Sequence, residues 1–333
     1  MNEFELIQSY FDWQLNDSRI ATGIGDDAAI FNLDKGYQLV TSTDTLSEGV
    51  HFFKYTSASD IAYKSLAVNL SDIAAMGGTA KYYTLALTLP KLDQVWLKDF
   101  SESLKLTSET FKVSLIGGDT SRGPLNISIT IMGVIENSKA ILRSSAKVGD
   151  AIYVSGHIGD AAHCLKQGLG GLEPTKGELI SLNRPFPRLN LGEALKEIAN
   201  SCIDISDGLE QDLSHILKAS NVGAEIDVRK LPLSKSLLKY VESNNDWSDP
   251  LCGGDDYELC FTVPKAHEQL LKSISEICEV KITKIGVINN TKKLKIKGYD
   301  GQVPHISTSK GLYFFSFFYC LTIYTFISCW TSL

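Results

Sequence analysis

Apolar positions along this chain come in short runs of two periods, and many of the runs stop abruptly at Gly, Ser and Asp. Phe4, Ile7, Tyr10 and Phe11 recur at helical spacing and predict an amphipathic helix over 3–13. Residues 23–31 read as a glycine turn leading into a strand. Leu39 and Val40 open a β-prone run that changes at once to Ser42-Thr43-Asp44. Ser59-Asp60 is expected to cap a helix over 61–76, closed by Gly77-Gly78. That helix has an apolar stripe of Ala62, Leu66, Leu70 and Ile73. Beside it runs a polar stripe of Ser65, Asn69 and Asp72, either a solvated face or part of a site. Strict alternation predicts a strand over 82–89, stopped by Pro90. A helix over 95–110, a strand over 113–116, a loop over 117–124 and a β-branched strand over 126–135 follow.

A turn at 147–150 precedes a second series with the same strand–helix style. Strands are expected at 151–155, 203–208, 224–228, 257–263 and 281–287. Helices are expected at 159–167, 191–199, 209–219 and 267–278, and 168–188 reads as a loop with a short helical start. The pattern divides the chain into domains at 1–145 and 146–305, with an atypical hydrophobic tail at 306–333. No short-period repeat is present.

The aspartates change the picture. An apolar run breaks and delivers an acid at Gly25-Asp26-Asp27, Ser42-Thr43-Asp44, Asn69-Leu70-Ser71-Asp72, Gly117-Gly118-Asp119-Thr120, Asp204-Ile205-Ser206-Asp207-Gly208 and Gly253-Gly254-Asp255-Asp256. One Gly-Asp alone is a turn. Six such breaks point to a single site assembled from many segments, rich in the hard oxygen ligands that suit Mg²⁺. The Gly117–Pro124 stretch adds hydroxyls and Arg122, a composition suited to a phosphate–metal contact, and Arg143 is placed to be a second phosphate clamp.

At 333 residues the length favours two domains, and a net charge of −7 with no basic run argues against a nucleic-acid surface. An acidic protein that handles an anionic substrate needs metal ions between the two. Seven cysteines without a C-x-x-C, and no signal peptide at Met1-Asn2-Glu3-Phe4, predict free thiols and a cytoplasmic location. Six scattered histidines make a transition-metal site an unfavourable reading. Walker A, protein-kinase and nucleophile-elbow signatures are absent. A many-aspartate site with few bases suits phosphoryl transfer, in which positioning and charge neutralisation dominate. If the acceptor is a phosphate monoester, whose second pKa is about 6, it is already a nucleophilic dianion and no protein base is required.

The same segments, with His51-Phe52, Ala67 through Gly77 and Gly254-Asp255-Asp256-Tyr257-Glu258-Leu259, resemble the thiamine-monophosphate kinase family in order from about residue 3 to about 300. The resemblance implies the α/β (α+β) fold of the aminoimidazole ribonucleotide synthetase-like superfamily: two domains, mixed sheets flanked by helices, and N-terminal domains pairing in a homodimer. It implies ATP-dependent phosphorylation of thiamine monophosphate to thiamine diphosphate, by direct in-line transfer with several Mg²⁺ ions. By motif, Asp27, Ser42, Thr43, Asp44, Asp72, Asp119, Asp204 and Asp207 correspond to the metal set. Gly118, Asp119, Arg143 and Ser206 correspond to ATP contacts, and His51, Asp255 and Tyr299 to substrate contacts. The family usually carries Glu where this chain has Asp255, which puts substrate affinity in question. Two other readings compete with this one: another ATP-using enzyme of the superfamily, or a non-catalytic thiamine-phosphate or nucleotide binder.

The family normally ends shortly after the segment matching Gly298-Tyr299-Asp300, whereas residues 311–333 here are uncharged and crowded with Phe, Tyr, Ile and Leu. By length and polarity this tail could anchor in a bilayer. The preferred reading is a frame-shifted or read-through end that packs on nothing in the core.

Overall fold

The computed structural model describes residues 3–13, 18–22, 29–172, 174–298 and 305. Asp27, Tyr299 and the 306–333 tail lie outside them.

The first half comprises α1 (Glu3–Tyr10), the antiparallel pair β1 (Ile20–Thr22) and β2 (Ile30–Phe31), β3 (Tyr37–Ser47), α2 (Ala58–Ala75), β4 (Thr79–Leu89), α3 (Gln94–Phe111), β5 (Ser114–Arg122) and β6 (Asn126–Glu136). Four of these strands form a mixed sheet in the order β3-β6-β4-β5, in which only the β4–β5 pair is parallel. Alternation decides its two faces. Ile127, Ile129 and Ile131 of β6, with Leu85 and Leu87 of β4, pack on Leu66, Leu70 and Ile73 of α2 and Leu97, Phe100 and Leu104 of α3. The opposite face carries Thr41, Thr43 and Thr45 of β3, all exposed, beside half-buried Ser128, Thr130 and Met132 of β6.

Two details depart from the sequence reading. The cap of α2 is Ser57, two residues earlier than expected; its hydroxyl accepts the Asp60 N–H at 3.1 Å and donates to the Asp60 carboxylate at 2.8 Å. The stretch 117–122, expected as loop, continues β5 as a strand parallel to β4. Its glycines make this possible: a Cβ on Gly118 would stand 2.0 Å from the Leu85 carbonyl oxygen, so only glycine lets the two backbones pair there.

The second half builds a six-stranded sheet in the order β12-β9-β11-β7-β10-β8. Its strands are β7 (Ala151–Ser155), β8 (Ser201–Asp204), β9 (Gly223–Asp227), β10 (Leu259–Val263), β11 (Ile282–Asn289) and β12 (Leu294–Lys297), with β12–β9 the parallel pair. The helices are α4 (Asp160–Leu169), α5 (Lys176–Asn183), α6 (Leu189–Leu195), α7 (Leu209–Ser220), α8 (Lys235–Asn244), α9 (Ser248–Cys252) and α10 (Leu271–Ile277). A full helix, α5, occupies part of the expected 168–188 loop, nucleated by a capping box between Thr175 and Glu178. The expected 267–278 helix is a 3₁₀ turn followed by the shorter α10.

The halves meet along α2. Arg184 Nε lies 2.5 Å from the Asp60 carboxylate, Lys64 Nζ 3.1 Å from Asp255, and the Ser71 hydroxyl donates to Asp204 at 2.8 Å. At the C-terminal end of α2, Gly192 of α6 lies so close that a Cβ would stand 2.1 Å from the Ala74 carbonyl oxygen. The expected mixed α/β architecture, with two sheets flanked by helices, is therefore present. Among the described residues no helix is long and apolar enough to cross a membrane.

Candidate functional site

The β3 pleat points Ser42 and Asp44 toward α2, where the helix offers Asn69 and Asp72. The Ser42 hydroxyl donates to Asp72 at 2.6 Å, and the Asn69 side-chain oxygen accepts the Asp44 N–H at 3.1 Å. Asn69 is itself held by donating to the Ser65 carbonyl at 2.9 Å. The polar stripe of α2 is thus no solvated face: Ser65 and Asn69 are buried and Asp72 is half-buried. Ser71 and Asp72 lie side by side between Leu70 and Ile73 of α2, and the second half reaches the same spot through Asp204 at the end of β8, which accepts from the Ser71 hydroxyl.

Asp207 and Asp255 complete the gathering, because their charges are felt across it. Burial first, then Asp72 and Asp207, pushes the Asp44 carboxyl up to about 7. Burial raises Asp72 against the opposing Ser42 hydrogen bond and Arg143 charge. Asp204 is raised by burial and then by Asp72. Asp207 is raised by burial, with the nearby His215 and Arg143 opposing and Asp255 reinforcing the shift. Carboxylates crowded until they resist ionisation mark a place short of positive charge, and a divalent cation would reverse each of these shifts. Among the described residues no three Asp, Glu, His or Cys side chains gather closely enough to enclose an ion by themselves. The hard-oxygen donor set still fits Mg²⁺, which keeps waters and is held by one or two carboxylates together with substrate phosphates.

The other expected site residues fall in different places. Arg143 is exposed in a short 3₁₀ turn, near enough for its charge to act on Asp72 and Asp207. Ser206 lies between Asp204 and Asp207 in the loop before α7, and its carbonyl accepts the Asp255 N–H at 3.0 Å. Thr43 points the opposite way from its neighbours, its hydroxyl 2.9 Å from that of Thr130. Gly118 and Asp119 lie on the far edge strand: register runs Asp44, Ile129, Leu85, Gly118 across the sheet. Three strand spacings put that edge about 14 Å from Asp44, and Asp119, one residue on, belongs to the hydroxyl face with Thr45 and Ser128. Within one chain Asp119 therefore stands apart from the cluster.

His51 lies in the turn after β3. Its Nδ1 accepts the Ser47 N–H at 3.0 Å, which leaves the proton of the neutral ring on Nε2. Burial, the largest influence, pulls its pKa below the ordinary histidine value although Asp255 opposes this. Beneath it stands a residue the sequence reading passed over. Lys64, fully buried in α2, donates to the His51 carbonyl at 3.1 Å and pairs with Asp255 at 3.1 Å. Its one signal in the sequence was a lysine on a helix face neutral apart from it and Asp72. Asp212, also overlooked, accepts three backbone N–H groups from the Ser206–Gly208 loop.

Residues 25–135 match the family AIR synthase related protein, N-terminal domain, and residues 147–298 match its C-terminal domain. The chain is 45% identical over 294 residues to a thiamine-monophosphate kinase of Haemophilus influenzae, covering 87% of this chain and 90% of that protein. It is 47% identical over 276 residues to the Escherichia coli (strain K12) protein of the same name, covering 81% and 85%. A crystal structure of thiamine-monophosphate kinase from Stenotrophomonas maltophilia superposes with a TM-score of 0.80 at 40% identity, covering 86% of this chain and 92% of that one. A structure described as AaThiL complexed with AMPPCP and TMP superposes at 0.74 with 30% identity, covering 85% and 89%.

Proposed function

Since the chain belongs to the thiamine-monophosphate kinases of the AIR synthase related family, we propose that its converging aspartates are where ATP and thiamine monophosphate meet. The chain is a phosphotransferase that uses ATP to convert thiamine monophosphate to thiamine diphosphate. The observation that carries the site assignment is the hydrogen-bonded convergence of β3, α2 and β8, Ser42 donating to Asp72, Asn69 accepting the Asp44 N–H and Ser71 donating to Asp204, which brings acids from both halves onto one helix.

Mg²⁺ bound by Asp44, Asp72, Asp204 and Asp207, with Ser42, and in our reading Asp27, would neutralise phosphate charge and bring two anions together. Transfer is direct and in line, from ATP to the acceptor phosphate. His51 offers an Nε2–H donor suited to an acceptor phosphate, and its depressed pKa keeps it a neutral donor. A donor there positions the nucleophile without having to accept a proton, consistent with an acceptor that ionises unaided. Lys64 holds His51 and Asp255 together beneath this point, and Tyr299 is our remaining candidate for a substrate contact. Arg143 and Ser206 are the residues we assign to ATP, Arg143 with a guanidinium that suits phosphate and a charge felt at Asp72 and Asp207.

The pairing of two copies through the N-terminal domain, residues 1–145, is supported by the open face of its sheet. Tyr37 and Leu39 are exposed there beside the Thr41, Thr43 and Thr45 hydroxyls. A second copy stacked on this face would cover them and set Gly118 and Asp119 at the interface, beside the partner chain. The C-terminal domain, 146–305, supplies Asp204, Asp207 and Asp255. The enzyme works in the cytoplasm. Titrating Mg²⁺ against ATP and thiamine monophosphate, with ADP and thiamine diphosphate measured together, tests the reading. ADP release without thiamine diphosphate, or full turnover in chelator, would overturn it.

A further inference from the structure

The loop carrying Ser206 and Asp207 sits at the N-terminus of α7, where consecutive backbone N–H groups point outward and would ordinarily cradle a phosphate. Here they are already occupied. The carboxylate of Asp212, in the first turn of the same helix, curls back so that one oxygen accepts the N–H of Ser206 at 3.0 Å, of Asp207 at 3.0 Å and of Gly208 at 3.1 Å. Asp212 is 2% exposed, so neither water nor ligand competes for that oxygen. The arrangement continues outward: the Ser206 carbonyl accepts the Asp255 N–H, the Ile205 carbonyl accepts the Tyr257 N–H at 2.8 Å, and the Asp207 side chain accepts from Gln211 Nε2 at 3.0 Å.

A carboxylate that accepts three amides is a strong, geometrically demanding clasp. It fixes the direction of Ser206 and Asp207 before any ligand arrives. It also denies these three loop amides to nucleotide phosphates, which would be met instead by side chains and by ions on Asp207. No peripheral role explains a buried acid placed among Asp204 and Asp207, whose charges it opposes.

We propose that Asp212 is a positioning residue for the phosphoryl transfer, a built-in carboxyl group that fills the nest at the start of α7 and holds Ser206 and Asp207 for the nucleotide. This rests on the functional reading above. Asp212→Ala vacates the nest, and Asp212→Asn keeps the shape with a neutral acceptor.

In Asp212→Ala, kcat/KM for ATP should fall by about 10²-fold, the scale of losing a preorganised polar contact, whereas KM for thiamine monophosphate stays within about threefold. Asp212→Asn should lie between Asp212→Ala and the parent. Added formate, small enough to enter the vacated nest, should restore about tenfold of the Asp212→Ala loss, a free-energy step of about 1.4 kcal/mol. Formate should do nothing for the parent or for Asp207→Ala. Formate should also raise the melting temperature of Asp212→Ala alone, a readout that needs no turnover. Equal losses toward both substrates, or no response to formate by rate or melting, would overturn the proposal. A parent enzyme that makes no thiamine diphosphate would instead overturn the functional reading and leave the melting test standing.

Discussion

Lys64→Met removes one charge from the densest meeting of the two halves. The Lys64 side chain is 2% exposed and that of Asp255 15%, so their 3.1 Å pair is nearly dry. Methionine keeps the length of the side chain but abandons the Asp255 carboxylate and the His51 carbonyl. Breaking one side of a buried pair costs about 3–5 kcal/mol, because the surviving charge is left without a partner. The partial exposure of Asp255 places the expected loss near the lower end, about 3 kcal/mol. Asp255→Asn should cost a similar amount by stranding the ammonium. The double substitution removes both charges and should cost less than the sum, with a coupling of about 2 kcal/mol, within the range for contacting residues. Urea unfolding of the four proteins, followed by tryptophan fluorescence, measures the stabilities. Steady-state kinetics should show KM for thiamine monophosphate rising in both single variants more than KM for ATP, because Lys64 supports His51 and Asp255 and not Asp44 of β3. Additive stability losses, or a Lys64→Met enzyme with unchanged midpoint and unchanged KM, would refute the argument.

Further outcomes follow from other contacts. Asp44→Ala should abolish thiamine diphosphate formation with the fold retained, checked by circular dichroism beside the coupled assay. Ser71→Ala leaves the buried Asp204 without its 2.8 Å donor, which should cost about 1–3 kcal/mol in chemical unfolding. Burial opposes ionisation of Asp246, but the Ser248 hydroxyl and N–H and the Lys166 ammonium hold its pKa down to about 2. A depressed carboxylate stabilises the fold above its ordinary pKa, and that support is lost as pH falls through the lowered value. Unfolding curves of Asp246→Asn and the parent should therefore differ at neutral pH and converge as pH falls from about 4 to about 2. Removing 306–333 should leave turnover unchanged; a truncated enzyme without activity would show the tail to be structural.

Much of the fold was legible because periodicity and breakers act locally. The α2 stripe, the alternation of β4 and the β-branched run of β6 all stand where spacing placed them. The 168–188 stretch misled because its glycines and prolines outweighed Thr175 and Glu178, whose capping box was present in the sequence. Gly117-Gly118 looked like a turn for the same reason, although the two glycines serve a close strand pairing. The site was legible as a list of acids but not as an arrangement. Which aspartates face one another depends on pleat parity and strand order, and these separate Asp119 from Asp44. Lys64 and Asp212 escaped notice because a single charged residue on a helix ordinarily faces solvent; only packing shows what each one touches.

The sutures along α2 carry a consequence for descent. Asp60, Lys64, Ser71 and Ala74 answer to Arg184, Asp255, Asp204 and Gly192 in turn. A recombinant that took its first half from one relative and its second from another would inherit mismatched stitches down one whole helix. Changes at these positions in one half are therefore tied to the other, so a chimaera joined near residue 146, between parents that differ there, should need those partner positions transplanted with α2 before it works.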